Sequence, residues 1–310
     1  MVAAESSAPP QHYLGGIALR LVAMASLSGM YAVVKLVDAA GVHIVESLFW
    51  RQAVILPLLF GWAMTHDGLA TFRTRRFAIH TRRAMMGLTG MVFNFGGMIF
   101  LPMAEATTIN LSVPIFAVIF AALFLHEPTG RARWSAVIAG FIGVLIVLNP
   151  TSMLAGGLNG SHAMGALIAL GGAIMTALVT IQIRDLGRTE SAIAIVFWFS
   201  MISLVPLGIA LPFFITPHSL GVWALLIGLG LAGAVAQMSL TGALRLAPVA
   251  VVTPMDYSSL LWSIACGWWL FGTLPADTTW IGAPLIIASG LFIAWREHRR
   301  QIERAKDIAA

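Results

Sequence analysis

Residues 104–150 read AEATTINLSVPIFAVIFAALFLHEPTGRARWSAVIAGFIGVLIVLNP, two apolar stretches of helical length separated by a polar break at His126–Trp134. A looser copy of the same phrase covers residues 250–295 and has its break at Phe271–Trp280. A shift of 146 positions superimposes the two breaks and places Trp134 on Trp280. The pattern predicts one structural unit that occurs twice in the chain.

The composition is that of an integral membrane protein. Hydrophobic residues make up 59% of the chain and charged residues 10%, whereas about one quarter of an ordinary soluble domain is charged. The arginines fall in short clusters between apolar runs, so the surplus of positive charge does not indicate a nucleic-acid partner. The one cysteine, Cys266, excludes an internal disulfide, and we predict neither a metal site nor a cofactor.

The apolar runs have the length of membrane-spanning helices. A helix needs about 20 apolar residues to cross the hydrocarbon core. We therefore expect an all-α polytopic membrane protein with ten transmembrane helices. The predicted spans are 14–34, 44–64, 84–103, 106–125, 134–149, 163–183, 192–213, 220–243, 249–271 and 279–295.

The distribution of charge orients these spans. Fifteen of the 18 Lys and Arg residues fall in connections on one side of a ten-span arrangement or in the C-terminal tail. The positive-inside rule then predicts a multi-pass protein of a bacterial-type inner (plasma) membrane with both termini in the cytoplasm.

Five spans in each half is an odd number, so the two halves have opposite orientations. We expect two inverted five-helix repeats around a central cavity, an arrangement typical of secondary transporters. The predicted units are a cytoplasmic tail (1–13), a first repeat (14–150), an external linker (151–162), a second repeat (163–296) and a basic cytoplasmic tail (297–310).

The phrases AEATTINLSVP at 104–114 and LHEP at 125–128, followed by Trp134 and a glycine-containing helix, resemble the EamA-like branch of the drug/metabolite transporter superfamily. The phrase SGMYAVVK at 28–35 also fits the first helix pair of that family. The resemblance implies a ten-helix transporter with a central cavity that commonly exports amino acids or other small metabolites. Members often carry a second glutamate where this chain has Thr273, so we expect no paired role for Glu127.

Two charged residues lie well inside predicted spans. A charge at the centre of a membrane helix costs about 2.5–3.5 kcal/mol or more, so it usually faces a protein interior or a wet cavity. Arg51 is expected to face the cavity or an ion-pair partner, with snorkelling to the interface as the alternative. Asp256 follows Pro254 and is a candidate for substrate or proton coupling, with capping of loosened backbone as the alternative. Arg20 and Lys35 lie near the ends of the first span, where we expect snorkelling.

Polar and aromatic side chains within the spans complete the predicted substrate cavity. Polar side chains there also commonly join helices to each other, and aromatic ones also face lipid, so both alternatives stay open. Pro114 and Pro254 are predicted hinges because each opens a helix that precedes one of the two repeated breaks. The candidate substrate-binding residues are Tyr31, Trp50, Arg51, Asn94, Asn110, Trp198, Gln237, Asp256, Tyr257 and Trp262.

The sequence favours transport over catalysis. All eight histidines are assigned to tails or loops, and the chain lacks the common hydrolase, metalloprotease and phosphate-binding motifs. We therefore expect a secondary transporter that does not use ATP and that exports small metabolites, with amino acids leading on the resemblance. A transporter of a nucleoside-like cofactor such as S-adenosylmethionine is the alternative, and an intramembrane enzyme is disfavoured. The expected partners are a small-molecule substrate, the lipid bilayer and protons as a candidate coupling ion, while the sequence leaves the oligomeric state open.

Overall fold

The computed structural model describes residues 13–66, 68–124, 131–149, 160–187, 189–247 and 249–309. Within these ranges the chain is helical and contains no strand. Glu127 with most of the first polar break, Pro150, and most of the predicted N-terminal tail and external linker lie outside the described residues.

Twelve α-helices occupy the positions of the ten predicted spans in the described residues. The first six are α1 (Tyr13–Ala39), α2 (Ile44–Met64), α3 (Phe77–Phe100), α4 (Met103–Asn110), α5 (Val113–Phe124) and α6 (Arg131–Leu148). The last six are α7 (Ser161–Leu186), α8 (Ala192–Ala210), α9 (Leu220–Leu246), α10 (Val249–Val252), α11 (Ser258–Phe271) and α12 (Asp277–Ala309). Short 3₁₀ segments lie at Gly68–Phe72, Leu211–Phe213 and Thr253–Tyr257.

Most of the predicted spans are long and apolar enough to cross a membrane. Seven segments of the described chain meet both conditions, and Trp134–Leu148 in α6 is a shorter apolar helix. The two other predicted spans correspond to α3 and to α10 with α11. The protein is therefore a polytopic all-α membrane protein, as predicted.

The fourth and ninth spans are each broken near a proline that we predicted as a hinge. α4 ends at Asn110 and α5 begins at Val113, just before Pro114, while Pro254 lies in the 3₁₀ segment between α10 and α11. Proline has no backbone N–H and its ring clashes with the carbonyl four residues earlier, so a continuous helix is disfavoured at both places. The breaks occupy equivalent positions in the two halves. Movement at them remains a prediction.

The packing of the helices follows the predicted repeat. Adding six to a helix number relates the first half to the second, so that α1 corresponds to α7 and α6 to α12. Two helix pairs, α1 with α9 and α3 with α7, pack together most extensively. Under this relation each of these pairs is the counterpart of the other. The packing of α2 with α9 is likewise the counterpart of that of α8 with α3, and α6 packs directly on its own counterpart α12. This pattern agrees with two repeats related by a pseudo-two-fold axis.

The two ends of the bundle differ in charge. The connection between α2 and α3 carries Arg73, Arg75 and Arg76, and we call this the basic end. α1 begins and α9 ends at this same end. These two helix ends are in contact, since a side chain at Gly16, near the start of α1, would meet Ala247, which directly follows α9. We call the other end, where α2 and α9 begin, the opposite end.

One predicted boundary was wrong. α3 begins at Phe77, seven residues before the predicted start of its span, so Arg82 and Arg83 belong to the helix and not to a loop. The predicted basic tail from residue 297 onward continues α12 as helix to Ala309. In both regions charged residues that hydropathy assigns to water continue an apolar helix.

Candidate functional site

Arg51 lies inside the bundle, in contact with neutral groups from neighbouring helices. Its Nε donates to the sulfur of Met30 in α1 at 3.3 Å, and its Nη1 donates to the sulfur of Met91 in α3 at 3.3 Å. Gly233 of α9 faces the same guanidinium, since a side chain there would approach Arg51 Nε to 3.4 Å. Arg51 is partly buried, and its side chain meets residues of α1, α3 and α9.

Tyr31 lies beside Arg51 and between two apolar clusters of the interior. Its ring meets the ring of Phe95 edge to face, with centroids 6.1 Å apart. It packs against both of the largest apolar clusters of the protein. Its hydroxyl is close enough to interact electrostatically with the guanidinium of Arg51. The structure therefore brings together two of the predicted site residues, Tyr31 and Arg51.

A second arginine, Arg83, joins this site. Its guanidinium lies over the ring of Phe199 in α8, 4.0 Å from the centroid, a cation–π geometry. The residue is 6% exposed, and neither its Nε nor its Nη1 has a hydrogen-bond partner. Arg83 is also within electrostatic reach of Arg51. Arg83 was not among the predicted site residues, because the arginines that precede the predicted third span were counted as loop charges that set orientation.

Gln52 and Ser200 connect the surroundings of the two arginines. The Ser200 hydroxyl donates to Gln52 Oε1 at 3.0 Å, and Gln52 Nε2 donates to the sulfur of Met91 at 3.6 Å. Both polar residues are almost fully buried. Because both side chains are neutral, they add no negative charge opposite the arginines.

Asn94 and Asn110 form a separate polar contact between helices. Asn110 Nδ2 donates to Asn94 Oδ1 at 2.5 Å, and Asn94 Nδ2 donates to the Thr176 hydroxyl at 3.1 Å. The three residues join α4, α3 and α7, and each of them is partly buried. The amides thus make the inter-helix hydrogen bonds that we gave as the alternative to substrate contact.

Asp256 is paired with Arg20. Arg20 Nε donates to Asp256 Oδ1 at 2.5 Å and Arg20 Nη2 donates to Oδ2 at 2.7 Å, a bidentate contact between α1 and the 3₁₀ segment before α11. Snorkelling was therefore the wrong expectation for Arg20. The Lys35 ammonium donates to the carbonyls of Met98 at 3.0 Å and Leu101 at 2.7 Å at the end of α3.

Comparison with known proteins identifies the family. The description "EamA-like transporter family" matches residues 14–149 and, separately, residues 163–295. The chain belongs to the EamA-like transporter family. The resemblance inferred from the short motifs is confirmed, and the family match covers both halves of the sequence.

Curated relatives of this EamA-family chain carry several substrate names. A riboflavin transporter of Rhizobium johnstonii is 35% identical over 83% of this chain and 82% of its own length. An S-adenosylmethionine uptake transporter of Rickettsia conorii is 28% identical over 93% of this chain and 95% of its own. A pseudopaline exporter of Pseudomonas aeruginosa is 27% identical over 88% and 94%. A solved crystal structure shares the fold, with a TM-score of 0.59 and 16% identity over 89% of this chain and 96% of that one.

The other predicted site residues lie away from Arg51. The indole N–H of Trp198 donates to the Phe72 carbonyl at 2.9 Å, at the basic end of the bundle. Gln237 lines a mainly apolar cavity of about 170 Å³ between α2, α8 and α9. Trp262 is 43% exposed on the surface of α11.

Two further candidates serve packing. Trp50 meets Trp223 edge to face with centroids 5.0 Å apart, although its indole N–H is buried without an acceptor. The Tyr257 hydroxyl lies against Gly290 of α12, where a methyl group would clash with it.

Proposed function

We propose that this protein is a secondary transporter that exports small organic metabolites by alternating access, with amino acids as the leading substrate class. The observation that carries the proposal is that the helix contacts between the two halves occur in equivalent pairs, around an interior that contains the partly exposed Arg51. Two halves that can trade conformations expose such an interior to each side of the membrane in turn. The amino-acid class comes from the family resemblance.

A nucleoside-like cofactor such as S-adenosylmethionine is the second candidate substrate. Relatives named as S-adenosylmethionine uptake transporters align with 93% of this chain, so the likeness extends over the whole transport unit. These relatives and the riboflavin transporters also make a ring-bearing metabolite a sensible member of any substrate panel.

The energy source of our proposal is an ion gradient. The sequence has no phosphate-cradling loop with which to use ATP. Asp256 is the proposed coupling group, because a carboxylate held by Arg20 at a broken helix changes its contacts when the halves move.

We also propose that both termini face the cytoplasm of an inner (plasma) membrane, on the strength of the arginines at the basic end.

We propose no catalytic role. The relatives named above are transporters and an exporter. Within the described residues, no group of three or more His, Cys, Asp or Glu side chains is arranged to hold a metal ion.

The test is transport in liposomes containing the purified protein. Labelled amino acids, S-adenosylmethionine and riboflavin are loaded, and efflux is followed with and without a pH gradient. We expect at least one amino acid to leave faster than from protein-free liposomes, and we expect Asp256→Asn to remove the response to the gradient. Movement of the cofactors without any amino acid would replace the leading class with the second. An unchanged response in Asp256→Asn would remove the coupling role.

A further inference from the structure

Arg51 and Arg83 together place two positive charges in the interior without a negative partner in the described part of the chain. The guanidinium of Arg51 is met by two thioether sulfurs, which are weak acceptors. Arg83 rests on an aromatic face, and two of its donor nitrogens have no acceptor at all. Arginine stays protonated in proteins, so neither group escapes the cost by losing its proton. The two guanidinium groups therefore have no anionic partner among the described residues.

The protein's own carboxylates do not supply that anion. Five of the acidic side chains described within or beside the helical bundle have hydrogen-bond or ion-pair partners. These pairs are Glu46 with His218, Glu105 with His162, Asp185 with Arg76, Glu190 with Thr74, and Asp256 with Arg20. Of the others, Asp38 interacts electrostatically with Lys35, and Asp277 lies in the first turn of α12. A counter-charge for the two arginines must then come from outside the described chain, and a transport substrate is the ligand that enters such a space.

The surroundings of Arg83 enclose its guanidinium closely, and its Nε and Nη1 atoms are buried. Gly87 lies one turn further along α3 and faces both the ring of Phe199 and the Nη1 of Arg83. A methyl group at Gly87 would come within 2.9 Å of that ring and 3.6 Å of that nitrogen. The unpaired Nε–H and Nη1–H donors point to different edges of the planar guanidinium, so each can donate to an oxygen of an anion on its own side.

We propose that Arg51 and Arg83 form the anion-binding part of the transport pathway and that the transported metabolite carries a carboxylate. The proposal rests on the transport function proposed above and narrows its substrate class. A neutral polar ligand would leave both positive charges uncompensated. A carboxylate satisfies the open donors and removes the repulsion between the two arginines. The flanking rings of Tyr31 and Phe199 then face the organic part of the same molecule.

The test measures binding with matched pairs of acid and amide. The thermal unfolding midpoint of the purified protein in detergent is recorded with phenylalanine, succinate and benzoate, and with phenylalaninamide, succinamide and benzamide. We expect at least one acid to raise the midpoint more than its amide does. In Arg83→Gln and Arg51→Gln, the ratio of the affinity for the acid to the affinity for its amide should fall about tenfold or more. Arg75→Gln, which removes an exposed arginine at the basic end, is the control and should keep the preference.

The same measurement without ligand separates binding from a structural role. An uncompensated buried charge destabilises the empty protein, so Arg83→Gln should unfold at the same or a higher temperature than the wild type. Arg83→Lys keeps the charge without the planar fork, and should keep the stability of the wild type but lose most of the acid preference.

The proposal is overturned if no acid stabilises the wild type more than its amide, or if both glutamine variants keep the preference. Because binding is read in detergent, these outcomes are distinct from failure of transport in liposomes. A protein that prefers acids but moves nothing contradicts only the proposed function. One that moves metabolites without any acid preference contradicts only the anion site.

Discussion

His218 Nε2 lies 2.9 Å from Glu46 Oε1, and both side chains are almost completely buried. The pair joins the beginning of α9 to the beginning of α2 at the opposite end of the bundle. The pseudo-two-fold relation maps these helices onto α3 and α8, whose beginnings meet at the basic end. There, His80 Nε2 lies 3.8 Å from Glu190 Oε2. Two histidine–glutamate pairs thus join equivalent helices of the two halves, at opposite ends of the molecule.

Replacing His218 should destabilise the protein strongly. Glu46 already has one buried carboxylate oxygen without a partner, and His218→Ala would remove the partner of the other. Removing one member of a buried charged pair costs about 3 kcal/mol or more of unfolding free energy. Chemical denaturation in detergent measures this loss. His66→Ala is the matched control, because His66 is exposed and its replacement should change stability by less than about 0.5 kcal/mol. Equal losses in both variants would contradict the structural role of the pair.

Arg20 and Asp256 should behave as a coupled pair in a double-mutant cycle. Their side chains are 14% and 30% exposed, so the contact is intermediate between a surface and a buried salt bridge. We expect Arg20→Ala and Asp256→Ala each to cost about 1–3 kcal/mol. The double variant should lose less than the sum by about 1 kcal/mol or more, since each single variant strands the other charge. Additive losses would show that the two residues stabilise the protein independently.

The contact between α6 and α12 predicts a strong effect of small side chains. A methyl group at Gly143 would lie 2.9 Å from the Gly282 carbonyl oxygen, and one at Gly282 would lie 2.6 Å from the Gly143 carbonyl oxygen. The backbones therefore approach each other without space for a side chain, a packing common in membrane helices. Gly143→Ala and Gly282→Ala should each cost about 1–3 kcal/mol of unfolding free energy.

Two other glycines provide the control for this prediction. A methyl group at Gly29 or at Gly61 would have no neighbouring atom within 4 Å, so alanine there meets open space. Because alanine favours helix by up to about 1 kcal/mol over glycine, Gly29→Ala and Gly61→Ala should leave stability unchanged or raise it. Thermal unfolding of the four variants in one detergent makes the comparison, and a loss in the controls equal to that at Gly143 would rule out close packing as the cause.

Hydropathy was sufficient to predict the helices but not their polar partners. The apolar runs predicted a helical segment at each of the ten positions, and seven segments are long and apolar enough to span a membrane, because the bilayer sets the length of a spanning helix. They did not predict that Arg20 pairs with Asp256, since the two lie 236 positions apart and only the tertiary fold brings them together. Arg83 was missed for a related reason. Charge counting reports which side of the membrane an arginine is on, and it does not report whether the side chain turns into the bundle.

The same limit applies to the histidines and tryptophans. His80 was assigned to a loop, yet it is fully buried within α3. The start of α3 seven residues early carries it into the bundle. Trp198 was a cavity candidate because it lies in an apolar span, but its indole N–H is held by the Phe72 carbonyl at the basic end. A signal for its position was available in the sequence, since Trp198 lies within two turns of the start of α8, where tryptophans commonly mark the membrane interface.

The inverted orientation of the two halves predicts the sidedness of two equivalent connections. Arg75 lies between α2 and α3, and Thr216 lies between α8 and α9, the corresponding place in the second half. Both side chains are exposed. If the repeats are inverted, these connections face opposite sides of the membrane. If they were parallel, both would face the same side.

Cysteine labelling of intact cells decides between these arrangements. The single native cysteine is first replaced in Cys266→Ser, and Arg75→Cys or Thr216→Cys is then introduced into that background. With a membrane-impermeant maleimide, we expect Thr216→Cys to react on intact cells and Arg75→Cys to react only after permeabilisation, because the arginine-rich connection stays in the cytoplasm. Reaction of both cysteines from outside would contradict the inversion. Reaction of Arg75→Cys alone would keep the inversion and reverse the orientation, placing both termini outside the cell.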